Sequence, residues 1–74
     1  MRRFHDEAGR VWDVVAGRES WGGIVALFVP REGDARPRSA PIPARGYAEA
    51  TTWLDASSDA ELRERFSRAT EVPL

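Results

Sequence analysis

The 74-residue chain has no cysteine, no lysine and a single histidine. Without cysteine neither a disulfide nor a thiolate metal site can form, and a reducing, cytoplasmic setting is the simplest expectation. With His5 as the only imidazole, neither a zinc site nor a Cys/His nucleophile pair can be assembled from the preferred ligands within one chain. No apolar stretch follows Arg2 and Arg3, so neither a signal peptide nor a membrane anchor is expected. There is also no glycine-rich phosphate loop, since Gly22-Gly23 has neither the spacing nor a following helix.

An excess of charge of either sign is lacking as well. The formal net charge is −1, and all eleven basic residues are arginine, a bias that coding composition suffices to explain. Residues 1–46 carry eight arginines against six acids and residues 47–74 three against six, an asymmetry too mild to imply a nucleic-acid partner. A chain of this length forms one small domain, residues 1–74, of thin stability, for which oligomerisation is the remaining staple.

What is present is one apolar run, Gly22-Gly23-Ile24-Val25-Ala26-Leu27-Phe28-Val29-Pro30. Its β-branched and aromatic content and its shortness read as a central strand. Alternation puts Ile24, Ala26 and Phe28 on one face and Val25, Leu27 and Val29 on the other, so both faces are apolar and both need cover.

Around it the chain reads as an α+β fold: an antiparallel meander of three or four strands at 3–6, 10–16, 22–29 and 36–42, then a C-terminal helix at 59–69 packed on one face. Asp6-Glu7-Ala8-Gly9 closes the first hairpin, with glycine supplying the left-handed conformation. In the second strand Trp12, Val14 and Ala16 form the drier face, while Val11, Asp13 and Val15 form the other, with Asp13 solvated or ion-paired. Pro37, Pro41 and Pro43 remove amide donors on one side of the fourth strand, which marks an edge. Ser58 and Glu61 form a capping box, and Leu62, Phe66 and Ala69 share the buried stripe of the helix that follows. Asp59/Arg63, Glu61/Arg65 and Glu64/Arg68 are i,i+4 pairs on its wet side. Residues 44–56 carry mixed signals: Tyr47 to Leu54 suits a helical turn or two, but Thr51-Thr52-Trp53 does not. Residues 71–74 read as a fraying tail.

The order of these signals resembles that of short bacterial proteins of unassigned function. The residues that carry the resemblance are Phe4, Asp6, Gly9, Arg10 and Trp12; Arg36, Arg38, Pro41 and Pro43; Trp53; and the Ser58-Asp59-Ala60-Glu61-Leu62 helix start. It implies a meander followed by a C-terminal helix, and no activity.

Candidate functional residues are weighed against structural roles. His5 beside Asp6 at a hairpin mouth reads as a solvated side chain, and Asp6 with Glu7 as turn chemistry rather than a carboxylate pair. Trp12 and Trp53 fall where core is needed. Trp21, at a loop-to-strand junction, either caps the core edge or stands exposed. Trp21, Arg36, Arg38 and Arg10 form the candidate binding surface, because tryptophan and arginine supply much of the energy of interfaces. No nucleophile, base and orienting group come together, so no enzymatic activity, cofactor or metal is expected. The doubly apolar central strand, set against one narrow helix stripe, points instead to an interaction module that pairs as a homodimer or docks on another protein. Binding of nucleic acid through an arginine-bearing sheet is the alternative, and a sheet curled into a small barrel would need no partner.

Overall fold

The structure, a computed structural model, describes residues 2–72. Met1, Pro73 and Leu74 lie outside the described residues, and with them the end of the expected tail. Five strands form one antiparallel sheet in sequence order: β1 (Arg2–His5), β2 (Val11–Arg18), β3 (Ile24–Pro30), β4 (Arg38–Pro41) and β5 (Thr70–Glu71). Two helices, α1 (Tyr47–Ala56) and α2 (Asp59–Ser67), connect β4 to β5. The expected α+β meander is thus present, with the apolar run at its centre, and it is longer by one helix and one strand. The sheet is open: β1 and β5 are its two rims, so the barrel alternative does not hold.

The first two hairpins use the same device. Asp6 N–H bonds to the Arg10 carbonyl (3.0 Å) and Gly9 N–H to the Asp6 carbonyl (3.0 Å); Glu19 N–H bonds to the Gly23 carbonyl (2.8 Å) and Gly22 N–H to the Glu19 carbonyl (2.9 Å). Gly9 and Gly22 take φ of 83° and 99°, the left-handed position that ends a three-residue hairpin loop. Gly22 therefore ends the turn and Gly23 closes it opposite Glu19, ahead of β3, whereas Gly17 and Arg18, expected in the connection, extend β2.

Both helices cover the same face. Phe4, Trp12, Val14, Ile24, Ala26, Phe28, Ala40 and Ile42 point from the sheet toward Ala50 and Leu54 of α1 and Leu62 of α2, forming one buried core. Phe66 of α2 completes it with ring centroids 4.9 Å from Trp12, 5.1 Å from Phe28 and 5.4 Å from Phe4, in the tilted and edge-on geometries that aromatic quadrupoles favour. The expected stripe of Leu62, Phe66 and Ala69 is the one that packs.

α1 forms where the local signal was mixed. Gly46 caps it without a side-chain bond, and the exposed Thr52 turns its hydroxyl back onto the Ala48 carbonyl (3.1 Å). Burial of Ala50 and Leu54 against the sheet outweighs the low propensity of the Thr51-Thr52 pair. α2 carries the expected capping box, with Glu61 N–H to Ser58 Oγ at 3.1 Å and Ser58 N–H to Glu61 Oε1 at 3.1 Å.

Two expectations are corrected. β4 is not a rim, because β5 pairs with it at Arg38↔Glu71 and Ser39↔Thr70. The Ile42 amide donates to the Ile24 carbonyl, so by alternation Arg38, Ala40 and Ile42 bond toward β3 and Ser39 toward β5. Pro37 and Pro41 flank Ser39 on that second side and offer no donor, which limits the fifth strand to two residues instead of preventing it. Of the three i,i+4 pairs only Glu64–Arg68 forms. Asp59 instead pairs with Arg2 (2.8 Å), Arg63 Nε donates to the His5 carbonyl (3.4 Å) and Arg65 to the Pro41 carbonyl (3.1 Å), tying the helix to the sheet. No helix among the described residues is long and apolar enough to cross a membrane.

Candidate interaction surface

With both helices on one side, the other side of the sheet has no covering element among the described residues. Strand alternation and register decide what it displays. Val11, Asp13, Val15 and Gly17 of β2 lie beside Val25, Leu27 and Val29 of β3, with Asp13 opposite Val29, Val15 opposite Leu27 and Gly17 opposite Val25. Ser39 and Pro41 of β4 continue the rows across Leu27 and Val25. Val11, Val15, Leu27 and Val29 are half-buried, while Val25 is buried.

The charges on this face are sorted along the strands. At the end nearest the first hairpin turn, Asp13 sits between Arg31 (3.3 Å) and Arg3 (3.8 Å), as the expected ion-paired acid. At the opposite end Glu19 takes a hydrogen bond from Ser39 Oγ (3.5 Å). Beside Glu19, the Trp21 side chain folds back over Gly23, its six-membered ring occupying the place where a Cβ would project. Gly23 shares its parity with Val25 and Leu27, so the indole lies at the end of the helix-free face, and it is 74% exposed. Trp21 therefore takes the exposed alternative.

The four residues expected to form a binding surface are not brought together. Trp21 and Arg10 are in turns at opposite ends of the β2–β3 ladder. Arg36 is exposed in the connection before β4, not within a strand. Arg38 belongs to the helix-covered side, its guanidinium 5.0 Å from the Phe66 ring centroid and 5.8 Å from that of Trp12. Trp12 is core, as expected, and Trp53 is half-buried against it with Arg65 over its ring (5.4 Å). A shallow cleft of about 480 Å³ separates the first turn from the β3–β4 connection, with Arg10, Arg31 and Glu32 in its walls. Its opposed charges favour no ligand sign. No group of three metal-ligating side chains exists among the described residues.

The residues that the site expectation missed are Val11, Val15, Glu19, Leu27, Val29 and Arg31. Their signal was available as matching alternation in β2 and β3, but it gains meaning only once both helices are known to choose the Trp12 side.

The pKa of Asp6 is clearly perturbed. Burial pushes its pKa upward, but hydrogen bonds from Trp12 Nε1 (3.0 Å) and the Arg10 and Ala8 amides, with the Arg10 charge, hold the carboxyl below its ordinary range. It is a turn and anchor residue facing a core indole. Compared with protein-family models, curated proteins and solved structures, the chain matches none of them.

Proposed function

We propose that this protein is a small non-catalytic interaction module that self-associates as a homodimer through the helix-free face of its sheet. The observation that carries this reading is the placement of α1 and α2 on one side of a β3 strand that is apolar on both. Val11, Val15, Leu27 and Val29 gain shelter when a second copy covers them, at about 25 cal/mol per Å² of apolar surface removed from water. Two sheets packed face to face about 10 Å apart make a sandwich whose inner layer is this apolar strip. A cytoplasmic setting, expected from the absence of cysteine, belongs to the same proposal.

Nucleic-acid binding has less support. Arg38 stacks on core rings, and Arg3 and Arg31 already face Asp13, which leaves little positive charge for counterion release.

Light scattering across a concentration series tests the reading. A mass that rises from one chain to two with concentration supports it. Leu27→Glu, which sets a charge at the centre of the strip, should lower the dimer fraction at least about tenfold and leave the far-ultraviolet circular dichroism unchanged. A strictly monomeric wild type at about 100 μM, where even a weak specific dimer is populated, overturns it.

A further inference from the structure

Resting on that homodimer reading, we propose that the two copies pack with their strands head to tail, about a two-fold axis crossing the strands at Val15 and Leu27. Glu19 and Trp21 of each copy then meet Arg31 of the other.

Register and charge both lead there. Val15 and Leu27 face each other at the middle of the β2–β3 ladder. Toward one end, Asp13↔Val29 is followed by a row in which Arg31 N–H bonds to the Val11 carbonyl (3.1 Å). Toward the other, Gly17↔Val25 is followed by the row in which Glu19 N–H bonds to the Gly23 carbonyl (2.8 Å). These two outer rows are equally distant from Val15 and Leu27. One contains an arginine, and the other contains a carboxylate and an indole lying on a glycine.

A closed dimer buries the same patch on both copies, so each residue contacts its image under the two-fold. If the axis ran along the strands, each end of the face would meet itself, and the Arg3–Asp13–Arg31 cluster, with one positive charge in excess, would approach its own image. With the axis across the strands, opposite ends meet. β2 then lies over β2 and β3 over β3, so Arg31 comes over Gly23 and the Trp21 ring, Glu19 reaches its guanidinium from the neighbouring strand, and the side chain of Asp13 comes over Gly17, where no side chain stands in its way. The like-charge arrangement is penalised, and the head-to-tail one gains two ion pairs and two cation–π contacts at the rim of an apolar strip. Strand length and spacing give a footprint of about 20 by 20 Å, or roughly 800–1,000 Å² buried in total, below the size of a stable interface and in the range of weak, reversible pairs. At that size these rim contacts decide whether the pair forms.

The test mixes two charge-reversed chains, Glu19→Arg and Arg31→Glu, and follows their mass by light scattering at low salt. Each alone should dimerise at least about tenfold more weakly than wild type, because both rim contacts become like-charged. Mixed one to one they should regain wild-type dimerisation, since each introduced charge faces its opposite and the two native partners face each other. One chain carrying both changes should also self-associate. Failure of the mixture to recover, while wild type dimerises and both variants keep wild-type circular dichroism, overturns the head-to-tail arrangement and leaves the face reading intact. Should either single variant fail to fold, the double variant decides alone, and its failure to dimerise when folded overturns the proposal. A monomeric wild type removes the reading beneath it.

Discussion

Asp6 closes the first hairpin with its backbone, accepts the Arg10 amide on Oδ1 (2.8 Å) and holds the Trp12 indole N–H on Oδ2 (3.0 Å). The folded carboxyl is more acidic than the unfolded one, so its contribution to stability is complete above about pH 4, the ordinary aspartate value, and is lost as pH falls through the lowered folded value. Urea unfolding at pH 7 and pH 3 should show this loss in wild type and a smaller one in Asp6→Ala. At pH 7 that variant should be less stable by about 1–2 kcal/mol, because the indole N–H of Trp12 is left without its partner. Gly23 is a residue-scale case on the proposed interface. A methyl group there would displace the Trp21 ring, so Gly23→Ala should shift the tryptophan emission while leaving Trp12 in its core position. The turn role of Asp6 and the core role of Trp12 were legible because local chemistry fixes them. The partners of the arginines were not, because guanidinium groups on long stems choose among carboxylates, carbonyls and rings that only the tertiary fold brings near.

Among the elements, α2 was the most legible, since its start is written in Ser58 and Glu61 and its buried stripe in Leu62 and Phe66. Ser58→Ala should cost about 1 kcal/mol in chemical denaturation, the usual loss for a capping side chain. α1 was the least legible. Its cap is a glycine, its middle holds two adjacent threonines, and it is helical because Ala50 and Leu54 find the sheet. The fourth strand shows how a correct local rule led to an incorrect global one. Its prolines do remove donors on one side, but the single amide left between Pro37 and Pro41 is enough for β5 to add, with Val72 N–H bonding to the Pro37 carbonyl (2.9 Å). Two residues of strand are below what periodicity can detect.

For the molecule as a whole, the division into a covered and an uncovered face sorts mutations by side. Leu62 of α2 is fully buried against the sheet, and Leu62→Ala should cost about 2–5 kcal/mol, a large share of what so small a domain has to lose. Leu27→Ala, on the uncovered side, should change the melting temperature of the isolated chain far less and weaken association instead. The two-sided apolar character of β3 was readable from residue order alone. Which side the helices would take required the packing of Trp12, Phe28 and Phe66.

The β4–β5 ladder also differs from the other three in when it can form. The first four strands join neighbours in sequence through short loops, so they can zip together hairpin by hairpin, whereas Thr70 reaches Ser39 only after both helices are in place. The last strand is therefore the piece most readily released while the rest stays folded. In deuterium exchange the Val72 amide should open on its own, at a rate indifferent to denaturant, while the amides of β3 wait for the whole domain to come apart.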